Sequence, residues 1–321
     1  MGKKTKIWLV IATLFVISGL ILFAVGMEAL GWEFGKLSTA KYETNSHEIR
    51  EEFCNIAVET DTADIRFAVA EDGKCTVVCY ELENAKHAVA VQDDTLVITV
   101  VNEIQWYEYI GITVGTPKVT VYLPKTEYNS LRIQESTGDV EIPKDFLFEN
   151  MGISTSTGAV ENYASVLERM KIESSTGDIR VENVSADMLD LSVSTGEVVA
   201  DSITCHGDIQ IRVTTGRTKL TDVACKNITS WGDTGDIMLK DVIASEMVSV
   251  ERGTGDVKFQ DCDAGEIRIE TDTGDVTGTL LSEKIFITET DTGSVDVPKT
   301  TTGGRCEITT GTGDIRIEIQ R

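Results

Sequence analysis

The side chains best placed by type and spacing to do chemistry in this sequence are aspartates. Asp139, Asp178, Asp236, Asp256, Asp275 and Asp314 each follow a Thr-Gly pair, and Glu197 keeps the charge at one further copy. Asp233, Asp272 and Asp291 sit two residues before the glycine of the same pair. If the copies stack, Asp233, Asp236, Asp256, Asp272, Asp275 and Asp291 come to one edge of the later coils. Carboxylates in register at about 5 Å repel by about 0.8 kcal/mol even in bulk water, so something must offset them. Aspartates in turns can accept backbone N–H bonds. A cation such as calcium would instead gather about six to eight oxygens. The calcium-binding nonapeptide pattern G-G-x-G-x-D is absent, and Ala159, Arg217 and Ser294 interrupt the column. The turn role is therefore the leading expectation and the cation site the secondary one; no other cofactor is expected.

Paired carboxylates can also serve as acid and base on a glycan. No aromatic sugar platform accompanies them, and the spacing of the copies leaves no room for the long side loops that build such sites. His206 is the sole histidine among the copies and reads as an exposed loop residue. The chain is accordingly expected to be non-enzymatic, with a carbohydrate-active enzyme as a remote alternative. Seven cysteines occur without a CxxC pair and with three histidines, which gives a zinc site no support. The formal net charge of −24 disfavours nucleic acid and anionic headgroups and favours cations or cationic peptides.

What must position these groups is a repeat. The Thr-Gly glycines fall at Gly138, Gly158, Gly177, Gly196, Gly216, Gly235, Gly255, Gly274, Gly293 and Gly313, always 19 or 20 residues apart. A fixed period of this size marks a solenoid. Two residues after the glycine come Val140, Val160, Ile179, Val198, Thr218, Ile237, Val257, Val276, Val295 and Ile315; seven and five before it are further apolar columns. Apolar offsets alternating by two on either side of a glycine turn predict strand, corner, strand and a looser return. One coil cannot bury enough to stand alone, so the coils must stack. The fold class is all-β, a parallel β-helix of about ten coils over residues 131–321, right-handed by analogy. The position nine after the glycine reads Leu147, Leu167, Ala186, Cys205, Cys225, Ala244 and Ala264 over seven consecutive coils. That column is expected inside, with Cys205 and Cys225 as reduced neighbours or as a disulfide.

Upstream, residues 1–6 form a basic stub with Lys3, Lys4 and Lys6, and 7–26 an apolar span without charge. Such a run crosses a bilayer core of about 30 Å, and the lysines put the N-terminus in the cytoplasm and the rest outside. A cleaved signal peptide, with Ala24-Val25-Gly26 as its site, is the competing reading. Residues 27–52 read as linker and 53–130 as an N-terminal β region, in which Asp61-Thr62-Ala63-Asp64 is a worn copy of the repeat. Trp106, Tyr107, Tyr109 and Ile110 are expected to form a flap that caps the first coil, with a protruding loop that touches membrane or a partner as the alternative. At the other end, Ile315, Ile317 and Ile319 lack an evident cap, so self-association through the C-terminal coil is expected.

Pro117-Lys118-Val119-Thr120-Val121-Tyr122-Leu123-Pro124, followed by Ser-Thr-Gly-Asp-Val copies and preceded by a positively flanked span, resembles the "putative adhesin" β-strand-repeat family of bacterial envelope proteins, a family of unknown function that includes LiaG-like members. The resemblance covers about residue 55 to the end. It implies a β-helix in the cell envelope and supplies no catalytic or binding residues. Residues and resemblance together point to a membrane-anchored extracellular scaffold or adhesin-like binder of envelope glycans, cationic peptides or another envelope protein. The alternative is an accessory sensor of envelope stress that engages cationic peptides.

Overall fold

The computed structural model describes residues 2–33, 41–102 and 115–320. The aromatic cluster Trp106, Tyr107, Tyr109 and Ile110, with the flap expected of it, lies outside the described residues. The N-terminal helix runs Lys3–Ala29, and Thr5–Ala29 is long and apolar enough to cross a membrane. Its large side chains, such as Trp8, Phe15 and Leu22, are exposed.

Everything that follows is β structure. The first nine strands are β1 (Tyr42–Ile49), β2 (Asn55–Thr62), β3 (Asp64–Val69), β4 (Cys75–Leu82), β5 (Ala85–Gln92), β6 (Thr95–Asn102), β7 (Lys118–Leu123), β8 (Glu127–Thr137) and β9 (Val140–Ile142). From β8 onward each coil is a strand, a Thr-Gly corner and a second strand, paired in parallel with the coils on either side. Threonine stands on threonine at the corner: Thr137 on Thr157, Thr157 on Thr176, and Thr176 on Thr195. Within each strand side chains alternate inward and outward, as strand geometry requires, and the phase changes at the corners, so that Leu131 and Ile133 before the glycine and Val140 and Ile142 after it all face the interior. Val140, Val160, Ile179, Val198, Ile237, Val257, Val276 and Ile315 are all fully or almost fully buried.

The corner explains the glycine. Gly177 has φ +137°, and a Cβ there would sit 2.1 Å from the carbonyl oxygen of Gly158 in the coil below. Backbone conformation and backbone contact both forbid a side chain. A second corner, six residues on, holds Asn183, Ser202, Asp222, Asp241 and Asp261 at φ between 51° and 57°. Short polar side chains tolerate this left-handed conformation better than branched ones.

The column nine after the glycine is interior at Ala186, Cys205, Cys225, Ala244 and Ala264, but Leu167 is 51% exposed and Leu147 is half-buried. In those two coils Phe148 and Val166 turn inward instead. Their second strands stop at Ile142 and Asn162, and the break resets the alternation; a one-residue change of phase exchanges inside for outside. Cys205 and Cys225 are both free thiols, as are the other five cysteines.

Both ends depart from sequence order. At the N-terminal end, β2 and β3 lie between β8/β9 on one side and β6/β7 on the other. Antiparallel strands then close the stack: β4 on β7, β5 on β6, and β1 on β4. The segment read as linker therefore contains a strand, β1, whose alternating exposure had no apolar signature because only its ends, Tyr42 and Ile49, carry apolar side chains. At the other end the last coil, 304–312 with 315–319, slots between 267–280 and 284–296. Ile315 and Ile317 are buried, so the C-terminal coil does not present the open edge expected of it. That edge belongs to Lys284–Thr292 and Val295–Asp296, where Ile285, Ile287 and Val295 are 44–48% exposed.

This order is testable by cross-linking. Arg268 stands beside Glu307, whereas stacking in sequence order would set it beside Ile287. The double variant Arg268→Cys/Glu307→Cys should form the disulfide in high yield under mild oxidation, and Arg268→Cys/Ile287→Cys should not, as read by peptide mapping.

Candidate functional site

The aspartate column occupies the outer side of the glycine corner. Each carboxylate accepts the backbone N–H of the equivalent residue one coil along. Asp139 Oδ1 accepts from the Ala159 N–H at 2.8 Å, Asp178 Oδ1 from Glu197 at 2.8 Å, and Asp236 Oδ1 from Asp256 at 3.0 Å. Asp256 Oδ1 accepts from Asp275 at 3.0 Å and Asp275 Oδ1 from Asp314 at 2.8 Å. The ladder follows the true coil order to its end, where Asp314 Oδ1 takes the N–H of Ser294 at 2.7 Å and its hydroxyl at 2.9 Å. Those Ser294 bonds hold the Asp314 carboxyl below the ordinary range. One oxygen of each aspartate thus serves the lattice; the other oxygen of Asp256 stands 3.4 Å from Lys258 Nζ. Where the column changes sign, Arg217 pairs with Glu197 at 3.6 Å.

Of the six aspartates grouped by spacing, Asp236, Asp256 and Asp275 are in this ladder. Asp233, Asp272 and Asp291 lie beside it, exposed. Among the described residues, the ladder brings no three potential ligand atoms within 4.8 Å of one another.

A second column, three residues before the glycine, faces inward and is polar in the first coils, before Val193 and Val213. Thr60, Glu135, Thr155 and Ser174 follow one another in register and all are buried. Glu135 is 6% exposed, and neither carboxyl oxygen has a hydrogen-bond partner. The nearby Ala63 N–H is committed to the Thr137 carbonyl at 3.1 Å. Further along, the same column holds Gly232 and then Arg252, 2% exposed. The Arg252 guanidinium passes over Gly232 and donates to the Val213 carbonyl at 2.7 Å. A Cβ at position 232 would lie 2.2 Å from its Nη1, so the glycine makes room for the arginine. Ser230 and Thr218 replace aliphatic residues of their columns in the neighbouring coils. In sequence these residues are breaks in the apolar columns, and the Thr218 and Ser230 hydroxyls, like Arg252 Nε and Nη2, are buried without a hydrogen-bond partner.

The outer face of the first coils carries a shallow depression of about 490 Å³ above Gly152, rimmed by Arg132, Arg169 and Lys171. Arg169 is paired with Asp190 at 2.9 Å and Lys171 with Glu173 at 3.0 Å. Glu173 lines it too, so two of the three cations are paired and Arg132 supplies the excess positive charge.

Burial pushes the Glu135 carboxyl up to about 8 from its ordinary 4.5, with the nearby Asp64 and Asp139 adding to the rise. A carboxyl raised on folding contributes stability that is complete below pH 4.5 and lost as pH rises through about 8. Glu135→Gln should therefore melt above the wild type at pH 9 and lose that advantage at pH 5. Thermal unfolding of the full chain in detergent at both values checks this; a difference independent of pH would contradict it.

The Toastrack family, DUF4097, matches residues 53–221 and 204–321. No match was found among curated proteins. Crystal structures with a similar course include a "putative adhesin" from Bacteroides fragilis, at 16% identity over 87% of this chain and 97% of that one, TM-score 0.43. Two from Parabacteroides distasonis follow: a "putative adhesin" at 12% identity over 74% and 98%, and a "putative lipid binding protein" at 15% over 74% and 97%, each with a TM-score of 0.48. The two family matches together span most of the chain and all of the stacked coils, and the chain belongs to the Toastrack family DUF4097.

Proposed function

We propose that this protein is a single-pass membrane protein whose β-solenoid stands outside the cell and acts by binding, without catalysis. The apolar helix behind three lysines supports the anchor and its orientation. The uninterrupted coils offer long faces rather than a cleft. The observation that carries the reading is the aspartate ladder: a row of surface carboxylates at the coil spacing of about 4.8 Å, each tied by one oxygen to the next coil, with Lys258 beside Asp256 at 3.4 Å. Such a row suits a polycationic partner met along its length, and the cationic-peptide sensor is the form of this function that the ladder favours. Glycan or protein adhesion along another face is the second form, favoured by the basic depression around Arg132.

Asparagine separates the lattice role from the binding role, because its side-chain oxygen still accepts the N–H while the charge is gone. The triple variant Asp236→Asn/Asp256→Asn/Asp275→Asn should keep the wild-type melting temperature. It should bind a fluorescent oligolysine peptide about tenfold more weakly at low salt, and wild-type binding should vanish at about 0.5 M salt. Anisotropy with the full chain in zwitterionic nanodiscs reads both. Equal binding by the triple variant, or no binding by the wild type at low salt, would overturn the reading.

A further inference from the structure

The chain carries a set of metal-ligand side chains that its spacing conceals. Cys79 and Glu81 point inward from β4 and His87 from β5, at the closed N-terminal end of the stack. All three are buried, at 0%, 1% and 5% exposure. The Cys79 sulfur, a Glu81 oxygen and a His87 ring nitrogen lie within 4.8 Å of one another. In a tetrahedral zinc site with bonds of about 2.0–2.3 Å, ligand atoms stand about 3.3–3.8 Å apart. The three groups are thus within a small side-chain adjustment of that geometry.

The surroundings are those of a held ligand set. Metal-binding histidines and carboxylates ordinarily have their remaining polar atoms fixed by a second group. Here Thr60 Oγ1 lies 3.1 Å from His87 Nε2, which leaves Nδ1 facing Glu81 at 2.8 Å. Asn45 Nδ2 donates to Glu81 Oε1 at 2.7 Å, which leaves Oε2 facing the histidine. The His87 backbone N–H also donates to Oε2, at 2.6 Å.

A fourth group is close by. His47 shares the inward face of β1 with Asn45, which stands opposite Cys79. Its Nε2 is buried and has no hydrogen-bond partner. Diagonal neighbours across paired strands are about 7–8 Å apart, within reach of an imidazole. His47 faces Val77 across the pair and lies outside the 4.8 Å cluster of Cys79, Glu81 and His87, so it joins them only by turning its ring toward Cys79.

We propose that Cys79, Glu81, His87 and His47 form a structural site for a zinc-class divalent metal ion. Sulfur, nitrogen and a single carboxylate suit such an ion, whereas calcium and magnesium require shells of oxygen. Cys79 binds as the thiolate, its proton passing to solvent. Four protein ligands close the site and leave no position for a substrate, so the metal's role is to fasten the antiparallel cap to the first coils. Access is through β1, an edge strand paired only with β4 among the described residues.

The test uses the full chain in detergent micelles, stripped with a chelator and titrated with zinc and with cobalt. One zinc per chain is expected, and the cobalt form should show the absorption of a thiolate-to-cobalt charge transfer. Cys79→Ser should abolish that absorption, and Cys75→Ser, a buried cysteine on the same face of β4, should leave it. Thr60→Val should weaken zinc binding by about 10–100-fold. Absence of stoichiometric uptake, a cobalt spectrum without the thiolate band, or a band that survives Cys79→Ser would overturn the proposal. The wild-type titration alone decides it even where a variant fails to fold. Its outcome is independent of whether the aspartate ladder binds a cationic partner.

Discussion

The structure depends on the contact of one backbone with the next at the Thr-Gly corner. At each corner from Gly158 to Gly313 the glycine Cα faces the glycine carbonyl of an adjacent coil, and at Gly138 the carbonyl of Ala63, at a distance that leaves no volume for a Cβ. Close approach there aligns the threonines, sets the strands in register on both sides of the corner, and carries each apolar column straight up the interior. Parallel register is otherwise weakly specified by a chain of nearly identical repeats, since a slip of a whole coil would preserve every inside–outside assignment. Glycine corners fix the phase within a coil, and the irregular ends fix which coil meets which.

The ends matter because a parallel stack leaves unpaired strands at both faces. This chain handles them by exchange. At each end the outermost coil is not the one outermost in sequence, so both termini of the solenoid are gripped between neighbours rather than left to fray. The N-terminal face is further closed by antiparallel β4 and β5. The other face is finished by the coil at 284–296, tied down through Lys284. That side chain is 3% exposed, and its Nζ lies 2.5 Å from Asp263 Oδ1. The acidic ladder fits the same account. Lattice bonds from backbone N–H groups offset the crowding of like charges, and a strongly negative surface keeps such a β-rich chain from associating edge to edge.

Much of this was legible in the residues. The period gave the solenoid and the offsets gave the inner columns, because both are local consequences of strand alternation and turn chemistry; the aspartate after glycine is a backbone acceptor, but for the N–H of the next coil rather than of its own turn. What escaped was non-local. The exchange of coils at the ends depends on which of several equivalent partners a strand meets, and nothing in Ile315 or Ile285 declares it. β1 escaped because a strand of Tyr-Glu-Thr-Asn-Ser-His-Glu-Ile carries no apolar alternation. Leu167 reads as interior only if the second strand continues through a corner, and in that coil it stops at Asn162. The corner residues Asn183, Ser202, Asp222, Asp241 and Asp261 were a visible column that went unread. Cys79, Glu81 and His87 looked unrelated because a hairpin turn separates the first two from the third, and His47 lies on another strand.

The most direct test of the corner as the organising contact is Gly177→Ala. By unfolded-state entropy alone alanine would stabilise the chain by about 0.4–1 kcal/mol. With φ at +137° and a carbonyl oxygen 2.1 Å from the new Cβ, the account predicts a loss of about 3 kcal/mol or more, seen as a marked fall in the melting temperature of the full chain. An unchanged or raised melting temperature would contradict it.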